Sequence, residues 1–158
     1  MLKRVGCLVA VFACVASSVR AISTFCFDGL EVIAETTPGE SIVINGTTCG
    51  KLNNFKAHCS YGFGEDDGYV YIVPRVGPYS VTVSSPTGRV VAVDVRQLDG
   101  RACKDAASLI CVLTRGTAPR TGTYYSGSEP GTALLIALDN PYGGCSTYTL
   151  TVTPPPLD

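Results

Sequence analysis

The sequence predicts an all-β protein: a jelly-roll-type β-sandwich of about eight or nine short strands, stapled by disulfides. Three observations predict it. Apolar and polar residues alternate in short runs, the period of a strand with one buried face. Turn clusters separate the runs: "RVGP", "SSPTGR", "LDGR", "SEPGT" and "NPYGG". The chain of 158 residues carries 8 cysteines and many β-branched residues, and long helical patterns are absent.

The first strand falls within Phe27–Glu35, and "ESIVIN" at Glu40–Asn45 is the second. "YVYIV" at Tyr69–Val73 is apolar on both faces, which suits a strand covered on both sides. "PYSVTVSS" points Tyr79, Val81 and Val83 inward and Ser80, Thr82 and Ser84 outward. "RVVAVDVRQL" sets Val91, Val93 and Val95 against Asp94 and Arg96. "ASLICVLT", "TYYSG" and "TALLIALDN" follow, the last with Leu134, Ile136 and Leu138 on one face. "STYTLTV" closes the set, burying Tyr148, Leu150 and Val152. No internal repeat is visible.

The chain divides into a signal peptide over 1–21, one sandwich domain over 22–153 and a Pro-rich tail over 154–158. Lys3 and Arg4 form a charged n-region, "VGCLVAVFACVASSV" an apolar h-region and "VRA" a small-residue cleavage site. The h-region is too short to span a bilayer comfortably, and no other segment does so. The alternative export route reads "VFAC" as a lipidation signal, with Cys14 carrying the lipid. Either route leaves Cys26, Cys49, Cys59, Cys103, Cys111 and Cys145. An even set in an exported chain is a disulfide framework, and six cysteines allow 15 connectivities. Zinc is disfavoured, because no close C-x₂-C pair exists.

The formal net charge is -1, which gives no footprint for nucleic acid. The single histidine, His58, stands beside Cys59, and no motif of the "GxSxG", "HExxH" or phosphate-loop kind is present. The expectation is therefore no enzyme. The turn "GEDDG" offers Glu65, Asp66 and Asp67 for calcium. That ion takes six to eight oxygens, so Asp28 and Asp139 would have to contribute. The bland reading is a solvated turn before a strand, and the expectation is no cofactor. Tyr124 and Tyr125 are adjacent, so one faces solvent if they lie in a strand. With Tyr142 they are the candidate ligand-binding residues; Tyr142, Tyr61 and Phe63 lie in loops, and exposed aromatics can stack on sugar rings or a partner protein. Their bland reading is ordinary edge packing. Asn45-Gly46-Thr47 is the one glycosylation sequon, of consequence in a host that glycosylates exported proteins.

"GTTCG…N…C" followed by "DDGYVYIVP", the small loop "CKDAASLIC", and "EPGTALLIALDNPYGGCSTYTLTV" form an ordered set over roughly Asp28 to Thr153. This set resembles the bacterial pre-peptidase C-terminal domain. Asp66, Tyr69, Tyr71, Val73 and Pro74 fill the places of the family's strand motif. The resemblance implies a non-catalytic jelly-roll sandwich, and the pairs Cys49–Cys59 and Cys103–Cys111, which leaves Cys26 with Cys145. Two departures stand out. Ala92 replaces an Asp, and "VLTR" after Cys111 replaces an acidic run, which weakens calcium binding at that end.

The function expected is a secreted, non-catalytic module recognising a surface glycan or protein, with no nucleic acid and no transmembrane segment. The alternatives are a structural subunit of an extracellular fibre or coat that associates with itself, and a companion of a secreted peptidase.

Overall fold

The computed structural model describes residues 30–98 and 106–157. The expected signal segment with Cys14, and also Cys26, Asp28 and Cys103, lie outside the described residues. Nine strands follow in order: β1 Glu31–Ile33, β2 Ile42–Thr47, β3 Asp66–Ile72, β4 Gly77–Ser84, β5 Ala92–Gln97, β6 Ala107–Leu113, β7 Arg120–Ser126, β8 Ala133–Asp139 and β9 Thr147–Thr153. They form a five-stranded sheet in the order β1-β3-β8-β5-β6 and a four-stranded sheet in the order β2-β9-β4-β7. β1 and β3 run parallel; the other pairs are antiparallel. Among the described residues no helix is long and apolar enough to cross a membrane.

Alternation places the core as the sequence anticipates. Tyr69, Tyr71, Val93, Val95, Leu134, Ile136 and Leu138 face Tyr79, Val81, Val83, Tyr148, Leu150 and Val152 across the sandwich. Aromatic packing fixes its centre. The Tyr79 and Tyr124 rings stack with centroids 5.4 Å apart, and Tyr71 meets Tyr79 edge-on at 5.9 Å, both favoured arrangements. Burial holds these phenols above their ordinary range. The Tyr148 hydroxyl donates to Asp67 at 2.6 Å and lies 2.8 Å from that of Tyr69.

The outer face of the five-stranded sheet is also covered. Leu135 and Ala137 form a second apolar cluster with Leu30, Phe55 and Leu98. The long β2–β3 loop over 48–65 supplies Phe55. This cover explains why Val70, Asp94 and Arg96 are buried although they point away from the core.

The disulfides correct the expected pairing. Cys49 is bonded to Cys145 and Cys59 to Cys111, so Cys49–Cys59, Cys103–Cys111 and Cys26–Cys145 do not form. Strand register is the reason. Thr47 pairs with Thr147 at the end of β2 and β9, and Thr48 N–H donates to the Ser146 carbonyl at 2.9 Å. That brings the Cα atoms of Cys49 and Cys145 to 4.7 Å. The β2–β3 loop lies across β5 and carries Cys59 to Cys111, which is opposite Asp94 in the β5–β6 pairing. The bonds close separations of 96 and 52 residues, each contributing about 4–5 kcal/mol in the loop-entropy model.

The tail begins as a packed segment. Pro154 and Pro155 are buried. Arg75 donates from Nε to the Pro155 carbonyl at 3.0 Å, and its Nη atoms hold Glu35 at 2.7 and 2.8 Å.

Candidate functional site

Three carboxylates fasten the β2–β3 loop to the outer sheet face. Asp66 opens β3, Asp139 ends β8 directly opposite it, and Asp94 lies on β5. All three are essentially inaccessible to solvent. Asp66 accepts the N–H groups of Asn54, at 3.0 Å, and Phe55. Asp139 accepts Ala57 N–H at 3.1 Å and the Ser60 hydroxyl. Asp94 accepts His58 N–H at 3.0 Å and the Ser108 hydroxyl at 2.5 Å, and pairs with His58 Nδ1 at 2.7 Å and Arg96 Nε at 2.9 Å. Arg96 in turn donates to the Lys56 carbonyl. A loop buried over a sheet must find partners for its peptide groups, and these side chains provide them. Burial, with some help from the charge of Asp139, pushes the Asp66 carboxyl up to about 6 despite the two N–H donors. One oxygen of Asp139, Oδ1, is buried without a partner.

The calcium reading of Glu65, Asp66 and Asp67 does not fit this arrangement. Asp66 faces the N–H groups of Asn54 and Phe55. Asp67 takes the Tyr148 hydroxyl and pairs with Lys51 at 3.4 Å. Glu65 accepts Gly50 N–H at 2.8 Å. The three carboxylates diverge onto hydrogen-bond donors, whereas a hard cation needs converging oxygens. Among the described residues, Cys49, Glu65 and Cys145 do converge, but the two sulfurs are bonded to each other. His58 is turned to Asp94 and Cys59 is held in a disulfide, so they form no base–nucleophile pair.

The fastened loop presents aromatic rings to solvent. Tyr61 and Phe63 are 66% and 71% exposed, and their rings lie 11° from parallel with centroids 6.4 Å apart. Gly62, at φ 68°, allows the turn between them. Gly64 lets the loop close on the β8–β9 turn, since a Cβ there would stand 2.5 Å from the Asn140 carbonyl oxygen and 2.8 Å from that of Gly144. Tyr142, on that turn and 71% exposed, therefore belongs to the same end of the sandwich. The Cys49–Cys145 bond ties the two segments together. Beside them lies an open groove of about 280 Å³ lined by Cys49, Thr87, Arg89, Cys145, Ser146 and Thr147.

Of the candidate aromatics, the structure brings Tyr142 together with Tyr61 and Phe63 and separates the rest. Tyr124 is core, so it is withdrawn as a ligand contact: even positions of β7 face inward. Tyr125 is exposed, but it pairs with Pro78, while Tyr142 precedes Thr147 at the Ser84 end of the sheet. The two lie at opposite ends. Asn45 is exposed on β2 and accepts the Thr149 hydroxyl at 2.8 Å. Sequence reasoning did not single out Asp94, or Asp139's hold on the loop. The available signal was a carboxylate at the end or in the middle of strands otherwise apolar on both faces.

No protein-family model matches the chain, and no curated protein matches it by sequence. Solved structures do share its fold. The pre-peptidase C-terminal domain of collagenase from Bacillus anthracis superposes with a TM-score of 0.54 at 14% identity, over 78% of this chain and 94% of that one. The Yersinia pseudotuberculosis-derived mitogen superposes with a TM-score of 0.53 at 12% identity, over 76% and 90%. The chain thus has the disulfide-containing β-sandwich fold that the pre-peptidase C-terminal resemblance implied.

Proposed function

We propose that the chain is an exported, non-catalytic module whose aromatic end engages a surface glycan. One observation carries this reading: three rings of about 70% exposure at one end of the fold, two of them nearly parallel. Solvent-exposed apolar groups gathered in one place mark interaction sites. The face of a pyranose ring presents C–H groups that suit the negative π face of Tyr or Phe. Tyr61 and Phe63 also stand on a loop fastened by buried carboxylates and two disulfides, which lowers the ordering cost of binding. Export is supported by the disulfides, which persist in oxidising compartments, and by the n-region and h-region of residues 1–21. A mature chain beginning at Ile22, or lipidated at Cys14, is distinguished by intact mass.

A glycan array probed with the folded domain tests the reading. Binding that falls at least tenfold in Tyr61→Ala and Phe63→Ala, with unchanged melting temperature, is the expected result. No glycan binding, together with concentration-dependent polymer on size exclusion, would replace it with the fibre or coat subunit. Capture of a co-secreted peptidase would replace it with the companion role.

A further inference from the structure

We propose that the ligand at the aromatic end is an acidic glycan, carrying carboxylate or sulfate groups, with Arg89 receiving the anionic group in the groove beside the rings. This rests on the glycan reading above and narrows it. The ion pairs among the described residues join Lys51 to Asp67, His58 to Asp94, Arg75 to Glu35 and Arg96 to Asp94. Arg89 is in none of them. It is exposed on the β4–β5 turn, and its Nη1 donates to the Cys145 carbonyl at 3.0 Å. That single bond orients the guanidinium against the β8–β9 turn, where it lies 3.3 Å from the Cβ position of Gly144. Its Nε and Nη2 donors are left for a ligand.

The surroundings favour an anion. The groove is lined by the Cys49–Cys145 disulfide, Thr87, Ser146 and Thr147 around Arg89, with no carboxylate among them. The Glu65 carboxylate lies beside the disulfide, where it accepts Gly50 N–H, and is outside the groove lining. A second cation stands beside the rings. Lys56 is exposed and has no acidic partner among the described residues, and its stem packs against Gly62, between Tyr61 and Phe63. Arg89 and Lys56 thus place two cations at the aromatic end of a chain whose formal net charge is -1. A planar guanidinium matches a carboxylate or sulfate through two parallel N–H donors. Neutral sugars need no such group.

The test compares acidic oligosaccharides (oligogalacturonate and a heparin hexasaccharide) with neutral cellohexaose and mannohexaose, by calorimetry at low and at 0.3 M salt. Acidic chains should bind about tenfold or more tightly, the worth of one charge-assisted bidentate contact. Added salt should erode the difference, because the groove is open to solvent. Arg89→Ala should abolish the acidic preference, affinity for acidic chains falling to that for neutral ones, and Arg89→Lys should restore it in part. Tyr61→Ala should weaken both ligand types. Equal or tighter binding of neutral chains, or a preference that survives Arg89→Ala, overturns the inference while the glycan reading stands. Absence of all sugar binding, or selection of acidic peptides instead, overturns both.

Discussion

At the scale of single residues, the informative contrast is among the buried polar groups. The Tyr124 hydroxyl is buried with no hydrogen-bond partner among the described residues, whereas that of Tyr148 bonds both Asp67 and Tyr69. An unsatisfied buried polar atom costs free energy that a satisfied one does not. Tyr124→Phe should therefore be neutral or slightly stabilising, while Tyr148→Phe should lose about 1–3 kcal/mol; urea unfolding measures both. Asp94 is the most heavily used side chain of the loop anchor. Asp94→Ala would remove the buried carboxylate that Arg96 Nε contacts and would cost His58 two contacts. A loss of about 3–5 kcal/mol is expected for breaking a buried pair from one side. A loss below 1 kcal/mol by the same measurement would show that the loop is held by other contacts.

At the scale of elements, the β2–β3 loop is the piece whose behaviour depends on pH. The Asp66 carboxyl has an ordinary value of 3.8 and stands at about 6 in the fold. A raised carboxyl binds its proton more tightly folded than unfolded, so its ionisation opposes folding. The cost is absent below about pH 4, grows through pH 6 and is full above it, at up to about 3 kcal/mol. Asp66→Asn removes this titration. The stability difference between variant and wild type should therefore move in the variant's favour as pH rises from 4.5 to 7.5. Thermal unfolding across that range measures it, and a flat difference would show that Asp66 titrates normally. The same loop bears on calcium. Since Glu65, Asp66 and Asp67 each bond different donors, melting in millimolar calcium and in chelator should coincide. A rise of several degrees with calcium, lost in Asp66→Asn, would mean that the loop rearranges around an ion, through the linkage of ligand binding to stability.

At the scale of the whole molecule, two covalent bonds join distant parts of the chain. Non-reducing peptide mapping should recover Cys49 with Cys145 and Cys59 with Cys111. Recovery of Cys49 with Cys59 would contradict the register that brings β2 beside β9. Replacing Cys59 and Cys111 together by Ser should cost about 4 kcal/mol and loosen the loop that carries Tyr61 and Phe63. Glycan binding should fall with it, while the β2–β9 pairing, joined by its own disulfide, is kept.

The sequence alone determined the strands. All nine expected runs are strands, and the alternation of Tyr79-Val81-Val83 and Tyr148-Leu150-Val152 named the core face correctly, because period-two patterning is a local property of the chain. It also marked "YVYIV" as covered on both sides, and Tyr61, Phe63 and Tyr142 as loop aromatics. Tertiary structure alone decided which segments meet. Which cysteines pair depends on the β2–β9 register and on the path of an 18-residue loop over β5, neither of which is encoded in the spacing between cysteines. The same path turned Asp94 and Arg96 from an apparent solvent face into a buried anchor. It drew Asp66 away from Glu65 and Asp67, and set Tyr61 and Phe63 beside Tyr142 while leaving Tyr125 at the far end. A strand's faces are fixed by neighbours one and two residues away, but a site is assembled from residues whose only relation is the fold.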